Sequence, residues 1–224
     1  MQKFDTPAPL SAVVDIPAGR IRFIAADRAD TTVEILPADA SKSRDVKAAE
    51  QTTVAYGDGV LRIEAAAPKN RVLGNSSGAV EVTVQLPTGS HVEAKAADAE
   101  LRGVGRLGDI AFDGAQASVK LDEIASARLT LQAGDITVGR LGGSSELSIL
   151  KGDIRITEAL RGRVVLRCES GELSIGAAHG VSASLDAGTT YGRIHNALKN
   201  TEGAAADLTI HATTTYGNIT AGSL

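Results

Sequence analysis

A short phrase of a glycine, a polar residue and a branched apolar residue recurs in the second half of the chain. Its copies are Gly108-Asp109-Ile110, Gly134-Asp135-Ile136, Gly152-Asp153-Ile154, Gly171-Glu172-Leu173, Gly192-Arg193-Ile194 and Gly217-Asn218-Ile219. Most copies continue with alternating apolar and polar residues, which is the period-two pattern of a β-strand. A repeat of this kind predicts a stack of short β-units, because one unit cannot bury its apolar face alone.

Alignment of the apolar positions gives the length of the unit. The leading residues of one strand are separated by 18, 17, 18, 19, 21 and 25 positions: Leu101, Val119, Ile136, Ile154, Leu173, Ile194 and Ile219. A helical repeat needs apolar spacings of three and four instead. We therefore expect an all-β fold, a parallel β-solenoid of about seven short coils stacked in chain order over residues 91–224. By analogy with crossovers between parallel strands, we expect a right-handed, single-stranded β-helix.

The last two coils share a longer match. The segment from Leu185 to Ile194 resembles the segment from Ile210 to Ile219, and each contains Thr-Thr-Tyr-Gly. Tyr191 and Tyr216 are therefore predicted to stack in register on neighbouring coils. We interpret Thr-Thr-Tyr as an insert that forms a bulged corner and lengthens these coils, and the same alignment places His211 beside Asp186.

Residues 1–90 are also β-rich but lack the short period, and we predict a cap continuous with the solenoid, in one domain. The predicted strands are Ala12–Ile16, Arg20–Ala25, Thr32–Leu36, Thr52–Tyr56, Val60–Ala65 and Val80–Leu86. Between them, Ala38–Gln51 is predicted to be a surface loop or short helix and Pro68–Gly78 an exposed loop.

The Asp-Ile-Pro-Ala-Gly corner at residues 15–19 and the serial Gly-Asp-Ile phrases carry a family resemblance. From Val14 to the C-terminus, the chain resembles the bacterial β-strand-repeat "putative adhesin" family, a domain of unknown function. The resemblance implies a β-helix-like fold and brings no catalytic residues with it. A looser resemblance to the bactofilin cytoskeletal family rests on its short solenoid coils.

Composition limits the compartment and the partners. The net charge of −4 arises from 23 basic and 27 acidic residues, so no basic surface for nucleic acid is predicted. No apolar run approaches the roughly 20 residues of a membrane span, and no apolar stretch follows a basic start at the N-terminus. As it stands, the sequence predicts a cytoplasmic protein, with the cell surface possible only if an export or anchor segment is missing.

Several motifs suggest nucleotide or metal chemistry but have simpler interpretations. Gly103–Gly108 matches G-x-G-x-x-G but leads into a predicted strand, whereas a dinucleotide site needs a helix there. The acidic turn positions such as Asp135 and Asp153 supply one carboxylate per coil, too few for a cation that wants six or more oxygens; we interpret them as solvated turns. His179, His195 and His211 are 16 residues apart, which does not match coils of 21 and 25 residues, so no zinc site is predicted.

Catalysis is not predicted either. Cys168 aligns with the inward-facing Leu131 and Ile149, which makes it a buried small hydrophobe rather than a nucleophile. A polysaccharide-active β-helix enzyme is disfavoured, because coils of about 18 residues leave shallow sides and aromatic residues for sugar stacking are scarce. The sequence thus predicts no catalytic residues, no cofactor and no metal.

The best hypothesis is a non-enzymatic interaction module that presents a lateral face to a protein or glycan partner. The residues chosen for that face are Tyr191, Tyr216, His195 and His211, although the tyrosines could instead only pack a corner. The alternative hypothesis is a self-assembling scaffold, because a solenoid ends in an unpaired strand edge. In that case we expect the C-terminal coil Asp207–Leu224 to form a homodimer through its edge.

Overall fold

The computed structural model describes residues 1–65 and 78–224, and it confirms the prediction of an all-β protein. The strands are β1 (Gln2–Asp5), β2 (Ser11–Ala26), β3 (Asp30–Pro37), β4 (Thr53–Gly57), β5 (Val60–Glu64), β6 (Val80–Pro87), β7 (His91–Leu141), β8 (Ser145–Lys151), β9 (Ile154–Ala159), β10 (Gly162–Ser170), β11 (Leu173–Ala177), β12 (Ala183–Tyr191), β13 (Ile194–Ala197), β14 (Leu208–Tyr216) and β15 (Ile219–Ser223). Within these described ranges there is a single α-helix, α1 (Ser43–Gln51), which lies inside the stretch predicted to be a loop or short helix. Apart from Gly78, the predicted loop at Pro68–Gly78 lies outside the described residues.

The strands after β7 stack in two parallel columns, with one strand of each column per turn of the chain. The first column contains β8, β10, β14 and β12, and the second contains β9, β11, β15 and β13. We call each consecutive pair of strands, such as β8 with β9, a rung. In the second column Ile136 lies opposite Ile154, and Ile154 lies opposite Leu173. The apolar residues thus form buried columns along an open solenoid, as the period of the sequence predicted.

The recurring phrase has a role for each of its three residues at the corner between the columns. The glycine lets two rungs approach, because a Cβ on Gly152 would overlap the carbonyl oxygen of Gly134 on the rung before it. The polar residue bridges rungs, since the carboxylate of Asp135 accepts a hydrogen bond from the N–H of Asp153 at 2.9 Å. The apolar residue, such as Ile154, is fully buried. Polar side chains here therefore satisfy amides of the next rung rather than of their own turn.

The last two rungs do not follow chain order, which corrects the expectation of sequential stacking. Strand β14 pairs with β10 on one side and β12 on the other, and β15 likewise lies between β11 and β13. The rung that ends the chain is therefore inserted between the two rungs that precede it in sequence. The coil Asp207–Leu224 is an interior rung, and the prediction that it forms the open edge is wrong.

The interpretation of Thr-Thr-Tyr as an insert is also wrong. Ser170 lies opposite Tyr216, which lies opposite Tyr191, and all three strands reach this corner after the same number of residues. The additional length lies in the connections, at residues 178–182 and 198–207, whereas residues 160–161 suffice between β9 and β10. The connection at residues 178–182 must reach from β11 to β12 past the height of one rung, about 4.8 Å. The connection at residues 198–207 must then lead back to β14, which lies in the space between.

Antiparallel strands lie at the N-terminal end of the solenoid. Strand β2 pairs from Ser11 to Ile24 with the start of β7, and it carries β5 and β6 on its other side. Strands β4 and β3 then add to β5 and β6 in antiparallel directions, and β1 adds to β3. The pKa of Asp30, at the start of β3, is lowered to about 2, mainly by a hydrogen bond from Arg28 and secondly by one from Lys3. This end of the molecule therefore finishes in strands that do not continue the repeat, and among the described residues β1 and β4 each pair on one side only.

Candidate functional site

Two tyrosines predicted from the sequence form the most exposed aromatic feature of the described residues. The rings of Tyr191 and Tyr216 stack with centroids 4.9 Å apart and planes 7° apart. Their residues are 63% and 54% exposed, so the rings do not belong to the core. Ser170 occupies the same corner position on the next rung, and the corner forms there without an aromatic ring. The structure thus provides no packing requirement for tyrosine at this corner.

The two predicted histidines lie on different columns. His211 is on β14 of the first column, and its Nδ1 is 3.2 Å from a carboxylate oxygen of Asp186 on β12, as the alignment predicted. His195 is on β13 of the second column, opposite Thr220. The corner that holds Tyr191 and Tyr216 separates these strands, so the four residues surround the corner rather than converge on one point.

Sequence reasoning missed a groove of about 840 Å³ on the first column. Its lining spans several rungs: Ser11, His91, Val92, Glu93, Asp109, Ile110, Ala111, Ser126, Ala127, Arg128, Ser144, Ser145, Glu146, Arg163, Val165 and Arg167. The signal in the sequence was a pair of short hydroxyl-bearing residues one coil apart, at Ser126 and Ser144. Short side chains in successive rungs leave a trough between longer ones.

A serine, an aspartate and a histidine meet in this groove, but in an order that does not activate the serine. The Ser126 hydroxyl donates to Asp109 Oδ1 at 2.7 Å, and the N–H of Asp109 donates to His91 Nδ1 at 3.2 Å. A nucleophilic serine needs a base, usually histidine, in direct contact with its hydroxyl. Here the carboxylate stands between them, so the contacts form a ladder from rung to rung rather than a catalytic triad.

The sequence motifs that suggested nucleotide or metal chemistry form no such site among the described residues. The G-x-G-x-x-G segment Gly103–Gly108 lies within β7, where no helix is present to receive a pyrophosphate. Among the described residues, no group of three or more His, Cys, Asp and Glu side chains is placed to hold a metal ion. In the same residues, no helix is long and apolar enough to cross a membrane.

Cys168 is buried, as its alignment with Ile149 predicted. Burial raises the pKa of the Cys168 thiol, and its Sγ lies 3.3 Å from the carbonyl oxygen of Gly152. The thiolate is the reactive form of cysteine, so both access and ionisation oppose reaction.

We expect Cys168 to react with Ellman's reagent only as the protein unfolds. In native buffer at pH 8 the reaction should be far slower than in about 6 M urea, and it should accelerate across the unfolding transition. Absorbance at 412 nm follows the reaction, with glutathione as the freely accessible control. Rapid stoichiometric labelling of the folded protein would contradict the buried position.

Comparisons with known proteins place the chain in a family without a described activity. No curated protein matches it. Three solved structures align with it over nearly their full length. A "putative cell adhesion protein" from Clostridium sporogenes is 12% identical (TM-score 0.29), with 100% of this chain and 98% of that chain covered. A "putative adhesin" from Bacteroides fragilis is 12% identical (TM-score 0.38), with 100% and 95% covered. A "putative lipid binding protein" from Parabacteroides distasonis is 13% identical (TM-score 0.45), with 97% and 95% covered. The profile of the Toastrack DUF4097 family matches residues 13–222, which confirms the resemblance drawn from the repeats, and the chain belongs to this family.

Proposed function

We propose that this protein is a non-enzymatic binding module whose solenoid holds the Tyr191–Tyr216 corner rigidly for a protein or glycan partner. The observation that supports it is the stacked, exposed tyrosine pair. Tyrosine carries a large apolar ring and a polar hydroxyl on a side chain with few rotamers, which makes it a frequent anchor of binding surfaces.

The two backbones fix the tyrosines before any partner arrives. Strands β12 and β14 pair in register from Ala183 to Tyr191, so the spacing of the rings is set by the sheet. Binding to a preformed surface avoids the entropy cost of ordering it. The stacked rings present their edges and hydroxyls to the side, where apolar groups and hydrogen-bond acceptors of a partner can contact them.

The polar groups beside the corner add selectivity. His211 and Asp186 form a cross-strand pair on the first column, and His195 lies on the second. A partner that covers the corner contacts neutral aromatic edges at its centre and these polar groups at its margin, the arrangement of a typical binding surface. The experiment below uses the tyrosines, because they carry the proposal.

Two probes test the proposal in parallel: an array of neutral and acidic glycans for the purified protein, and a photo-crosslinking amino acid at Thr190 for proteins in cells. We expect at least one probe to report a ligand. The double variant Tyr191→Ala/Tyr216→Ala should bind it about tenfold more weakly or worse. The control is Leu36→Ala, which removes an exposed apolar side chain from β3 at the other end of the molecule.

Three results would overturn the proposal. One is the absence of a ligand with both probes. Another is a ligand that the tyrosine variant binds as tightly as the native protein does. The third is equal loss in the Leu36→Ala control. Thermal melting of each variant separates loss of binding from loss of folding, because the tyrosine rings are exposed and their removal should leave the melting temperature nearly unchanged.

A further inference from the structure

The solenoid is open at the end opposite the antiparallel cap. Among the described residues, β12 pairs only with β14 and β13 only with β15. Ile194 on this last rung is 45% exposed, whereas Ile219, opposite it on the covered rung, is 1% exposed. Leu185 and Ala187 are likewise only partly buried, while Ile210 and Ala212 opposite them are fully buried. The core-type side chains of the terminal rung are therefore only partly covered, and the connection after β13 reaches this rung at its start, where the N–H of Ala183 donates to the carbonyl oxygen of Lys199 at 3.0 Å.

This edge lacks the usual features that prevent strands from pairing with other chains. Such features include proline, bulges and charged side chains that point toward the core. Residues 183–197 contain no proline, and β12 keeps one register with β14 from Ala183 to Thr189. The side chains on the core side of the rung are Leu185, Ala187, Thr189, Ile194 and Asn196, none of which is charged. The edge is thus chemically ready to accept another strand.

In the protein itself, the terminal rung already packs against a rung of similar sequence. On its covered side, the segment from Leu185 to Ile194 lies against the similar segment from Ile210 to Ile219, with Tyr on Tyr and Ile opposite Ile. The rim of the rung also carries both charges, with Asp186 on the first strand and Arg193 at the corner. The alternation of apolar and polar residues is the same in either direction along a strand, so the rung of a second copy offers apolar positions and charges of either sign in an antiparallel arrangement as well.

We propose that the rung formed by β12 and β13 is covered in solution by the same rung of a second copy, in a head-to-head dimer with two-fold symmetry. The cap at the other end presents the edges of β1 and β4, which do not continue the repeat, so the proposed contact uses the same rung on both copies and closes after two chains. A two-fold axis across the solenoid brings the edges together antiparallel, and the exposed Ile194 and Leu185 of each copy become buried. The proposal is independent of a ligand at the tyrosine corner.

Light scattering on a sizing column, over a range of concentrations, tests the dimer. We expect a species of twice the 23.0 kDa chain mass, which gives way to the single chain on dilution. The double variant Leu185→Lys/Ile194→Lys should remain a single chain at concentrations where the native protein is dimeric, because it places charges in the interface. Gly188→Lys/Thr190→Lys is the matched control: it adds the same two charges at exposed, outward positions of the same rung, and the dimer should persist.

Amide hydrogen exchange provides a measurement that needs no variant. At high concentration, amides of β12 and β13 should exchange more slowly than at low concentration, whereas those of β4 at the cap should not change. A 23.0 kDa species at every concentration would overturn the proposal, including the case in which a different protein covers this edge. A dimer that survives Leu185→Lys/Ile194→Lys, or exchange in β12 and β13 that does not depend on concentration, would overturn it as well.

Discussion

A chain that ends at Ala206 is expected not to fold. Although it lacks only the last 18 residues, it loses an interior rung, because β14 and β15 pair on both of their sides. The lost rung buries Leu208, Ile210 and Ile219 almost completely. Each large aliphatic side chain removed from a core costs about 2–5 kcal/mol, and a domain of this size has about 5–15 kcal/mol of stability in all.

The matched control is an internal deletion that removes more residues. Deletion of residues 180–205 eliminates the terminal rung β12–β13 and leaves four residues between β11 and β14. In this variant β14 can still lie on β10 and β15 on β11, as they do in the native protein. We expect it to fold with a cooperative thermal transition, since only a half-exposed rung is lost.

Circular dichroism and thermal melting of the two chains distinguish the observed rung order from sequential stacking. If the rungs were stacked in chain order, the C-terminal truncation would remove the outermost rung and would be the milder change. Folding of the truncated chain with a melting temperature near that of the native protein would therefore refute the inserted position of β14 and β15.

The sequence predicted best which side chains face the core and which residues lie beside each other on neighbouring rungs. Period-two alternation predicted which side chains enter the core, and in-register alignment predicted the stacking of Tyr191 on Tyr216 and the contact between His211 and Asp186. It also placed Cys168 in the core. These properties depend on position within a rung, and the repeat specifies that position.

The order of the rungs was not predictable in the same way, because every rung has the same alternating pattern and the pattern does not specify which rung lies beside it. The one signal is the length of the last coils, 21 and 25 residues, and alignment alone assigns it to the Thr-Thr-Tyr segment instead of to the connections at residues 178–182 and 198–207. The groove was missed for a related reason. The repeat does not constrain the residue type at outward positions as it does at core positions, so the trough over Ser126 and Ser144 is recognised only once neighbouring rungs are known.

The second large effect is expected for Gly152→Ala, at the corner where the rungs approach most closely. Gly152 has φ +133°, a conformation that L-residues rarely adopt, and its Cβ would overlap the backbone carbonyl of Gly134. Strained backbone costs about 1–3 kcal/mol, and overpacking in a rigid site costs a similar amount, about 1–3 kcal/mol. We therefore expect the free energy of unfolding in urea to fall by about 2–6 kcal/mol, with a lower midpoint and an unchanged slope.

Gly188→Ala is the control, because it makes the same change in another strand glycine. A Cβ at Gly188 of β12 meets no atom within 4 Å, and alanine is favoured over glycine in a strand by about 0.5–1 kcal/mol. This variant should therefore be as stable as the native protein or slightly more stable. Equal effects of the two substitutions would mean that the glycine column is not a close contact. A large loss at Gly152 alone would show that the recurring glycine is needed for the approach of two backbones, and that the repeat therefore encodes how the rungs stack.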